Sequence, residues 1–325
     1  MNCYCGPMCI FIIVILIFPL CLRLYRKLFL VKFAVKNKVS LVGKTVIVTG
    51  ANTGIGYQTA LECAKRGARL IIACENKPLG TKALETIIKT TGNKNVIFKL
   101  LDLASLKSVR SFADDVLKNE ERLDILINNA AVLMRGNEMT SDGFQLEMQI
   151  NYISPVLLTL LLIDMLKKSS PSRIINVASI AAKYAKNFTP ETINSYTDHI
   201  SSYANSKLGN ILFTQELGKK LKDSNISVFS LHPGITNTGI AIKNFNPIFR
   251  VCAAIFSRVF FMSPEEGAQT TLYTALEQGI ERFSGCFFEQ CKVAKPYKTA
   301  TNPALAKQIW DVTLNLLKYD EDKIR

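Results

Sequence analysis

The fold is decided by one stretch, VIVTGANTGIG at residues 46–56. Four β-favouring residues lead into a turn with three glycines, and the residues that follow predict an amphipathic helix over 55–66. Gly50 allows a tight turn, and Gly54 and Gly56 let backbone N–H groups approach a ligand without an intervening Cβ. Because those groups open a helix, where unpaired donors and the helix dipole favour an anion, the stretch predicts a phosphate-binding loop. The glycines alone are also compatible with an ordinary helix start.

Beyond this loop, short apolar runs alternate with helical patterns. Strands are predicted at residues 69–74, 96–101, 124–128, 173–177 and 226–231, and helices at 82–90, 106–117, 142–166 and 203–221, the third with a kink at Pro155. Successive βα units place parallel strands between helices on both faces. With an edge strand at 285–288, the pattern predicts a Rossmann-like doubly wound parallel sheet of about seven strands. No linker or repeat divides residues 40–319, which we interpret as one domain.

The N-terminal region is first apolar and then basic. Residues 4–22 carry no charge, and the first acidic residue is Glu62. We predict a membrane anchor at residues 1–22, near the lower length limit for a spanning helix, with an interfacial hairpin as the alternative. A cleaved signal peptide is disfavoured because no basic residue precedes the apolar run. Residues 23–39 are predicted to form a basic juxtamembrane segment, which places the rest of the chain on the cytosolic side.

The net charge of +14 points to membrane lipid rather than nucleic acid as a partner. Seven basic residues between Arg23 and Lys44 supply half of the excess, and no nucleic-acid-binding motif accompanies them. No metal site is predicted either. The nine cysteines form no CxxC pair, and His199 and His232 are the only histidines, so cytosolic free thiols are expected.

Candidate catalytic residues follow the predicted strands. Tyr203 and Lys207 lie four residues apart in a predicted helix, so they share a face, and the ammonium should lower the pKa of the phenol. Such a pair also occurs by chance on surface helices. Ser179 ends the fifth predicted strand, and the motifs NNA at 128–130 and HPG at 232–234 end two others. Because ligands of parallel α/β sheets bind outside the carboxyl ends of the strands, these side chains should lie at one rim.

Taken together, these residues resemble the short-chain dehydrogenase/reductase family. The resemblance rests on TGANTGIG at 49–56, NNA at 128–130, Asn151, Ser179, Tyr203-x3-Lys207 and Pro233-Gly234, and it covers about residues 40–290. Residues 44–56, Ala73-Cys74 and the HPG motif are similar to the membrane-anchored retinol dehydrogenase branch of that family.

The resemblance implies an NAD(P)-dependent oxidoreductase with a catalytic domain at 40–319. Tyr203 would act as general acid or base, Lys207 would lower its pKa and bind the nicotinamide ribose, and Ser179 would hold the substrate oxygen. Asn151 would position a water that links Lys207 to solvent. Asp102 would touch the adenine and Asn129 the adenosine ribose. The cofactor-binding residues implied in this way are Gly50, Asn52, Thr53, Gly54, Ile55, Gly56, Glu75, Asp102, Asn129, Tyr203, Lys207, Pro233, Gly234, Thr236 and Thr238.

Cofactor preference is where residues and resemblance disagree. The branch usually places Arg after Ala-Cys to hold the 2′-phosphate of NADP, whereas this chain has Glu75. A carboxylate accepts hydrogen bonds from a ribose 2′-hydroxyl but repels a 2′-phosphate. Thr53 is also not the basic residue that many NADP enzymes carry there. Glu75 therefore favours NAD(H), against the NADP(H) habit of the branch.

The substrate is expected to be lipophilic. Residues 245–262 are rich in apolar and aromatic side chains and contain no acid, and a substrate-covering segment is predicted at 235–262, with a buried core helix as the alternative. The resemblance implies interconversion of a retinol-like alcohol and its aldehyde or ketone, at the endoplasmic reticulum. The alternatives are a steroid or fatty-aldehyde reductase, or a non-catalytic membrane-bound dinucleotide-binding protein.

Overall fold

Strand β1 (Thr45–Thr49) lies at the centre of the sheet, with all five of its side chains buried. The computed structural model describes residue 35, residues 37–236 and residues 261–324. The predicted membrane anchor, most of the basic segment and most of the predicted substrate-covering segment lie outside these residues. Val46 and Val48 face one layer of helices and Ile47 faces the other, which explains why the strands read as continuous apolar runs.

The sheet has eight strands in the order β3-β2-β1-β4-β5-β6-β7-β8. Each neighbouring pair from β3 to β7 is parallel, which confirms the predicted doubly wound arrangement, and β8 pairs antiparallel with β7. The other strands are β2 (Arg69–Cys74), β3 (Val96–Leu100), β4 (Ile125–Asn128), β5 (Ser172–Val177), β6 (Ile226–His232), β7 (Phe287–Glu289) and β8 (Lys292–Ala294).

The eighth strand is an addition to the predicted number of about seven. It returns through a two-residue turn in which Gln290 and Cys291 both have positive φ, +51° and +57°. That geometry closes a hairpin but is usually built from Asn-Gly or Asp-Gly. The sequence therefore carried no recognisable hairpin signal at this place.

Helices cover both faces of the sheet. The helices α1, α2 and α7 pack on one face, and α3, α4, α5, α6 and α8 on the other. Their bounds are α1 (Gly54–Lys65), α2 (Lys77–Thr91), α3 (Leu106–Asn119), α4 (Ser154–Leu161), α5 (Ile163–Lys168), α6 (His199–Lys220), α7 (Pro264–Leu276) and α8 (Pro303–Leu317). Short 3₁₀ turns occupy Ile180–Tyr184, Glu281–Phe283, Lys298–Ala300 and Glu321–Ile324.

The predicted helical stretch over 142–166 is helical from Leu146 onward, but it is not one uniform α-helix. The segment is divided into the single turn Leu146–Met148, the π-helical turn Gln149–Ile153, and the helices α4 and α5. Pro155 has no N–H to donate to the carbonyl of Asn151, four residues earlier. That carbonyl instead accepts a hydrogen bond from Asn210 Nδ2 at 2.9 Å, on α6. The proline therefore replaces an internal helical bond with a bond to a neighbouring helix, rather than producing a simple kink.

Among the described residues, no helix is both long and apolar enough to cross a membrane. Within the same ranges, no three His, Cys, Asp or Glu side chains cluster in a way that could hold a metal ion. The cysteines that the structure describes, Cys63, Cys74, Cys286 and Cys291, are free thiols.

A buried carboxylate joins the amino ends of the central strands. Asp124 accepts hydrogen bonds from the N–H of Thr45 at 2.9 Å, from Lys44 Nζ at 2.9 Å and from two nitrogens of Arg122 at 2.7 and 2.8 Å. Burial raises the pKa of Asp124, but the hydrogen bonds outweigh it and hold that pKa below its ordinary value. This stabilisation is present above the ordinary aspartate pKa and is lost as the pH falls through the lowered value.

We expect Asp124→Ala to lower the free energy of unfolding by about 2–4 kcal/mol, because the buried N–H of Thr45 loses its acceptor. Urea denaturation at neutral pH measures the change. The control is Asp164→Ala, which removes an exposed carboxylate 3.9 Å from Lys167 and should cost less than about 1 kcal/mol. Equal losses in the two variants would contradict this role for Asp124.

Candidate active site

A cavity of about 550 Å³ opens at the carboxyl ends of β1, β4, β5 and β6. The structure brings most of the predicted site residues to its wall. Those that line it are Gly50, Asn52, Thr53, Gly54, Ile55, Gly56, Glu75, Asn129, Ser179, Tyr203, Lys207, Pro233, Gly234 and Thr236. Asp102 and Asn151 lie outside that lining, and Thr238 lies outside the described residues.

The glycine loop forms one end of the cavity. Gly50 and Gly54 have φ of +64° and +60°, which L side chains rarely adopt. A Cβ on Gly56 would lie 2.3 Å from the carbonyl oxygen of Gly50, so no larger residue fits there without a shift. Thr53 precedes α1 without giving it a side-chain cap, so the first N–H groups of the helix are left to face the cavity. The loop therefore fits the pyrophosphate of a dinucleotide.

Thr49 and Asn129 brace this loop from the neighbouring strand. Thr49 Oγ1 accepts the N–H groups of Asn129 and Ala130, both at 3.0 Å. Asn129 Nδ2 donates to the Thr49 carbonyl at 2.8 Å. Asn129 was predicted to contact the cofactor, and its amide also serves to hold the end of β1 against the end of β4. The role of Thr49 was missed, although its position directly before Gly50 was a usable signal.

Ser179 lies at the opposite end, at the carboxyl end of β5. Its hydroxyl accepts the N–H of Ala181 at 3.1 Å and so caps the turn Ile180–Tyr184. The N–H of Ile180 donates to Nδ1 of His232 at 3.2 Å. Burial lowers the pKa of His232 to about 4, so the imidazole stays neutral and keeps Nδ1 as an acceptor at neutral pH. His232 thus fixes the backbone next to Ser179.

Tyr203 and Lys207 share the cavity-facing side of α6, as their spacing predicted. Lys207 is buried, and its Nζ donates to the Val177 carbonyl at 2.9 Å and lies 5.7 Å from the centroid of the Tyr203 ring. Burial raises the pKa of Tyr203 to about 12, with a lowering by the Ser179 hydroxyl and a further rise from the Glu147 carboxylate. Burial also lowers the pKa of Lys207 to about 7. The burial of Tyr203 therefore raises the pKa of its phenol by more than the charge of a neighbouring lysine was expected to lower it.

Asn151 lies behind the cavity wall, in the π-helical turn. Its Oδ1 accepts the N–H of Val132 at 2.8 Å, and its Nδ2 donates to the Val132 carbonyl at 2.9 Å and to Ser206 Oγ at 3.1 Å. Val132 lines the cavity, and Ser206 directly precedes Lys207. The side chain therefore positions residues on both sides of the site.

The two predicted acidic contacts differ in placement. Glu75 is exposed and lines the cavity at the carboxyl end of β2. Asp102 uses Oδ1 to accept the N–H of Ala104 at 2.8 Å, between the lining residues Leu101 and Leu103.

A third acid, Glu147, was not predicted. It is fully buried, and its Oε1 accepts the N–H of Arg135 at 2.8 Å. Burial raises the pKa of Glu147, although the N–H groups of Arg135 and Met134 lower it. Glu147 lies in the predicted helical stretch 142–166, whose sequence gave no sign that this carboxylate would be buried.

The buried ammonium of Lys207 should destabilise the folded chain. Its pKa falls from the ordinary lysine value to about 7, so folding favours the neutral amine. The penalty is fully present below pH 7 and disappears as the pH rises toward the unfolded-state value near 10.4.

We therefore expect Lys207→Met to raise the free energy of unfolding by roughly 2–4 kcal/mol at pH 6, with a gain that shrinks between pH 7 and 10. Urea denaturation of the chain without added dinucleotide, as a function of pH, measures this. Lys118→Met removes an exposed lysine of α3 and should change stability little at any pH. A loss of stability in Lys207→Met at pH 6 would show that its charge is compensated in the fold.

Comparison with known proteins agrees with this geometry. The short chain dehydrogenase family model matches residues 44–247. Retinol dehydrogenase 11 of Mus musculus is 42% identical over 287 residues, which cover 88% of this chain and 90% of that protein. Retinol dehydrogenase 12 of Bos taurus is 40% identical over 283 residues, which cover 87% of this chain and 89% of that protein.

Among solved structures, that of an uncharacterized protein from Mycobacterium paratuberculosis is similar, with a TM-score of 0.69 and 28% identity. The match covers 86% of this chain and 96% of that one. The family match over most of the domain, the identity to full-length relatives and the arrangement around the glycine loop agree with one another. The chain belongs to the short-chain dehydrogenase family.

Proposed function

We propose that this protein is an NAD(P)-dependent oxidoreductase that interconverts a lipophilic alcohol of the retinol class and its aldehyde or ketone. The observation that carries the proposal is the placement of Ser179, Tyr203 and Lys207 in the same cavity as an uncapped, glycine-lined helix start. Several relatives that match along most of the chain are named retinol dehydrogenases, which supports the substrate class.

The cofactor would lie along the cavity from the glycine loop to Tyr203. When bound, a nicotinamide dinucleotide supplies or takes up the hydride. The N–H groups of residues 54–56 would hold its pyrophosphate, and Pro233, Gly234 and Thr236, which follow β6, line the same cavity. Thr238 remains a predicted contact.

The proton is assigned to Tyr203. Its phenol would donate to the substrate oxygen in reduction and accept from the hydroxyl in oxidation. The Ser179 hydroxyl lowers the pKa of that phenol and would hold the same oxygen. Lys207, whose pKa lies at about 7, can hold or release a proton at physiological pH. We propose that Asn151 is a positioning residue, because its side chain holds Val132 and Ser206 rather than reaching the cavity.

The wall near Tyr203 suits an apolar substrate. Val132, Leu133, Ile150, Ile180, Ile235 and Phe261 line the same cavity as Tyr203. Apolar walls with a few placed polar groups are usual in sites for lipophilic ligands. A steroid or fatty-aldehyde substrate would suit the same wall. A non-catalytic dinucleotide-binding role is disfavoured because binding alone does not require the Ser179, Tyr203 and Lys207 set.

Membrane attachment is part of the proposal. The uncharged residues 4–22 and the basic residues that follow them support an anchor with the domain on the cytosolic side, at the endoplasmic reticulum. A substrate that partitions into lipid would then be concentrated next to the enzyme.

Tyr203→Phe tests the proposed chemistry. We expect turnover of all-trans-retinal and related lipophilic aldehydes to fall roughly 100-fold or more, because the proton donor is lost. Dinucleotide binding, measured by fluorescence titration, should stay nearly unchanged, because the phosphate loop is at the other end of the cavity. Tyr273→Phe is the matched control, since Tyr273 is a partly exposed residue of α7 outside the cavity lining. Retention of more than about a tenth of the activity in Tyr203→Phe would exclude this tyrosine as the acid.

The cofactor preference is proposed to be NAD(H), with Glu75 as its determinant. Glu75 follows β2 and faces the cavity on the side where such folds meet the adenosine ribose. The carboxylate can accept from a ribose 2′-hydroxyl, whereas it would meet a 2′-phosphate as a like charge. Because Glu75 is exposed, solvent screens this repulsion, so the preference should be moderate.

We expect the wild type to have the higher kcat/KM with NADH, and Glu75→Arg to shift the ratio toward NADPH by about tenfold, equivalent to about 1.4 kcal/mol. The control Glu85→Arg makes the same charge change on the exposed face of α2, away from the cavity, and should leave the ratio unchanged. A wild type that prefers NADPH tenfold would show that other residues set the preference.

A further inference from the structure

We propose that the edge of the sheet at which the cavity opens rests on a lipid bilayer, so that substrate enters from the membrane rather than from water. This deepens the proposed function, since it rests on a membrane-attached enzyme with a lipophilic substrate. The surface consists of four exposed side chains in the segments that follow β4, β5 and β6, Met139, Tyr184, Ile200 and Ile235, called here the rim, of which Ile235 also lines the cavity.

The rim is apolar and exposed. Met139, Tyr184, Ile200 and Ile235 are 54%, 53%, 64% and 54% exposed. They come from three different connections, which follow β4, β5 and β6, and they meet at one edge because parallel strands end there. Single exposed apolar residues are ordinary, but several around the entrance to one apolar site indicate an interaction surface.

Hydrogen bonds join two of these connections into one surface. Asn194 Oδ1 accepts the N–H of Gln145 at 2.8 Å, and Asn194 Nδ2 donates to the Gly143 carbonyl at 2.9 Å. Lys183 Nζ lies 4.9 Å from the centroid of the Tyr184 ring. An exposed tyrosine beside a lysine suits the membrane interface, where the ring lies among headgroups and the ammonium reaches water or phosphate.

Val35 and residues 37–41, called here the N-terminal strap, pack along α1 and α7. Leu41 N–H donates to the Arg66 carbonyl at 2.8 Å, at the end of α1. Asn37 Nδ2 donates to Glu277 Oε2 at 2.7 Å, just after α7, and Val35 N–H donates to Gln269 Oε1 at 2.9 Å, in the second turn of α7.

The direction of α7 shows which way the strap runs. A Cβ on Gly267, in its first turn, would meet Thr236 and Ile55, both of which line the cavity. Near its end, the carbonyl of Thr274 accepts from Arg173, at the amino end of β5. From Leu41 back to Val35 the strap therefore climbs toward the cavity edge. Val35 therefore lies nearer to the cavity edge than Leu41 does.

The opposite edge of the sheet, at the amino ends of the strands, carries several ion pairs. There the ion pairs Lys44–Asp124, Arg122–Asp124 and Arg69–Glu120 surround the amino ends of the central strands. The large apolar side chains exposed near that edge in the described residues are Val42, at 76%, and Leu117, at 43%. A bilayer against the cavity edge avoids the desolvation of these charges.

The experiment uses the single native tryptophan. Trp310 is buried and serves as an internal reference. Full-length Ile200→Trp, Tyr184→Trp and, as the control, Val42→Trp are reconstituted into phosphatidylcholine–phosphatidylserine vesicles with and without brominated acyl chains. The first two variants should lose at least about half of their added emission to bromine, because rim residues enter the acyl boundary, whereas Val42→Trp should not.

Equal quenching of all three variants, or none in Ile200→Trp and Tyr184→Trp, would overturn the proposal. Failure of the chain to float with vesicles would overturn it as well, since the membrane attachment would be absent. The quenching does not depend on turnover, so an inactive preparation with a quenched rim would contradict the proposed reaction but not the orientation.

Discussion

The close approach of two backbone segments at Gly50 and Gly56 is the constraint on which the rest of the structure depends. With no Cβ on Gly56, the start of α1 can pack against the carbonyl of Gly50. Thr49 and Asn129 then hold this turn against the end of β4, so the loop and the catalytic wall belong to one rigid sheet. A side chain at Gly56 would separate the strand from the helix and remove the uncapped N–H groups from the cavity.

The two edges of the sheet differ in which charge state of their buried side chains the fold favours. At the amino edge, Asp124 is buried with three cationic or N–H partners, and its charge stabilises the fold. At the carboxyl edge, Lys207 and His232 are buried where burial favours their neutral forms. A buried charge that stabilises the fold thus lies at the amino edge. The groups that can exchange protons or accept a ligand lie at the carboxyl edge. Such a separation is common where function requires polar groups that the fold alone does not satisfy.

The strands and the placement of the site at one edge of the sheet were predictable because they follow from simple periodic and topological rules. Apolar runs buried on both faces identify parallel strands, and residues after them must share an edge, which is why Ser179 was predicted to lie near the motifs at 128–130 and 232–234. The path of residues 142–166 was not predictable from apolar spacing, since that spacing cannot distinguish an α-helical from a π-helical turn. The pKa values of Tyr203 and Lys207 depend on burial, which sequence spacing does not report. For the same reason, the burial of the Glu147 carboxylate could not be predicted from the sequence.

The π-helical turn at Gln149–Ile153 changes the angular position, about the helix axis, of the residues that follow it. It accommodates one residue more than an α-helical turn of the same rise, so everything after it is rotated relative to Asn151 by about 100°, the angle per residue in an α-helix. Deleting one residue here would leave the composition of α4 unchanged but would alter which of its side chains, nearly all of them buried, face the sheet. The number of residues in the π-helical turn, rather than the identity of any one side chain, then determines whether Asn151 faces Val132 while α4 still fills the core. The number of residues in this segment therefore matters more for packing than the identity of any single side chain in it.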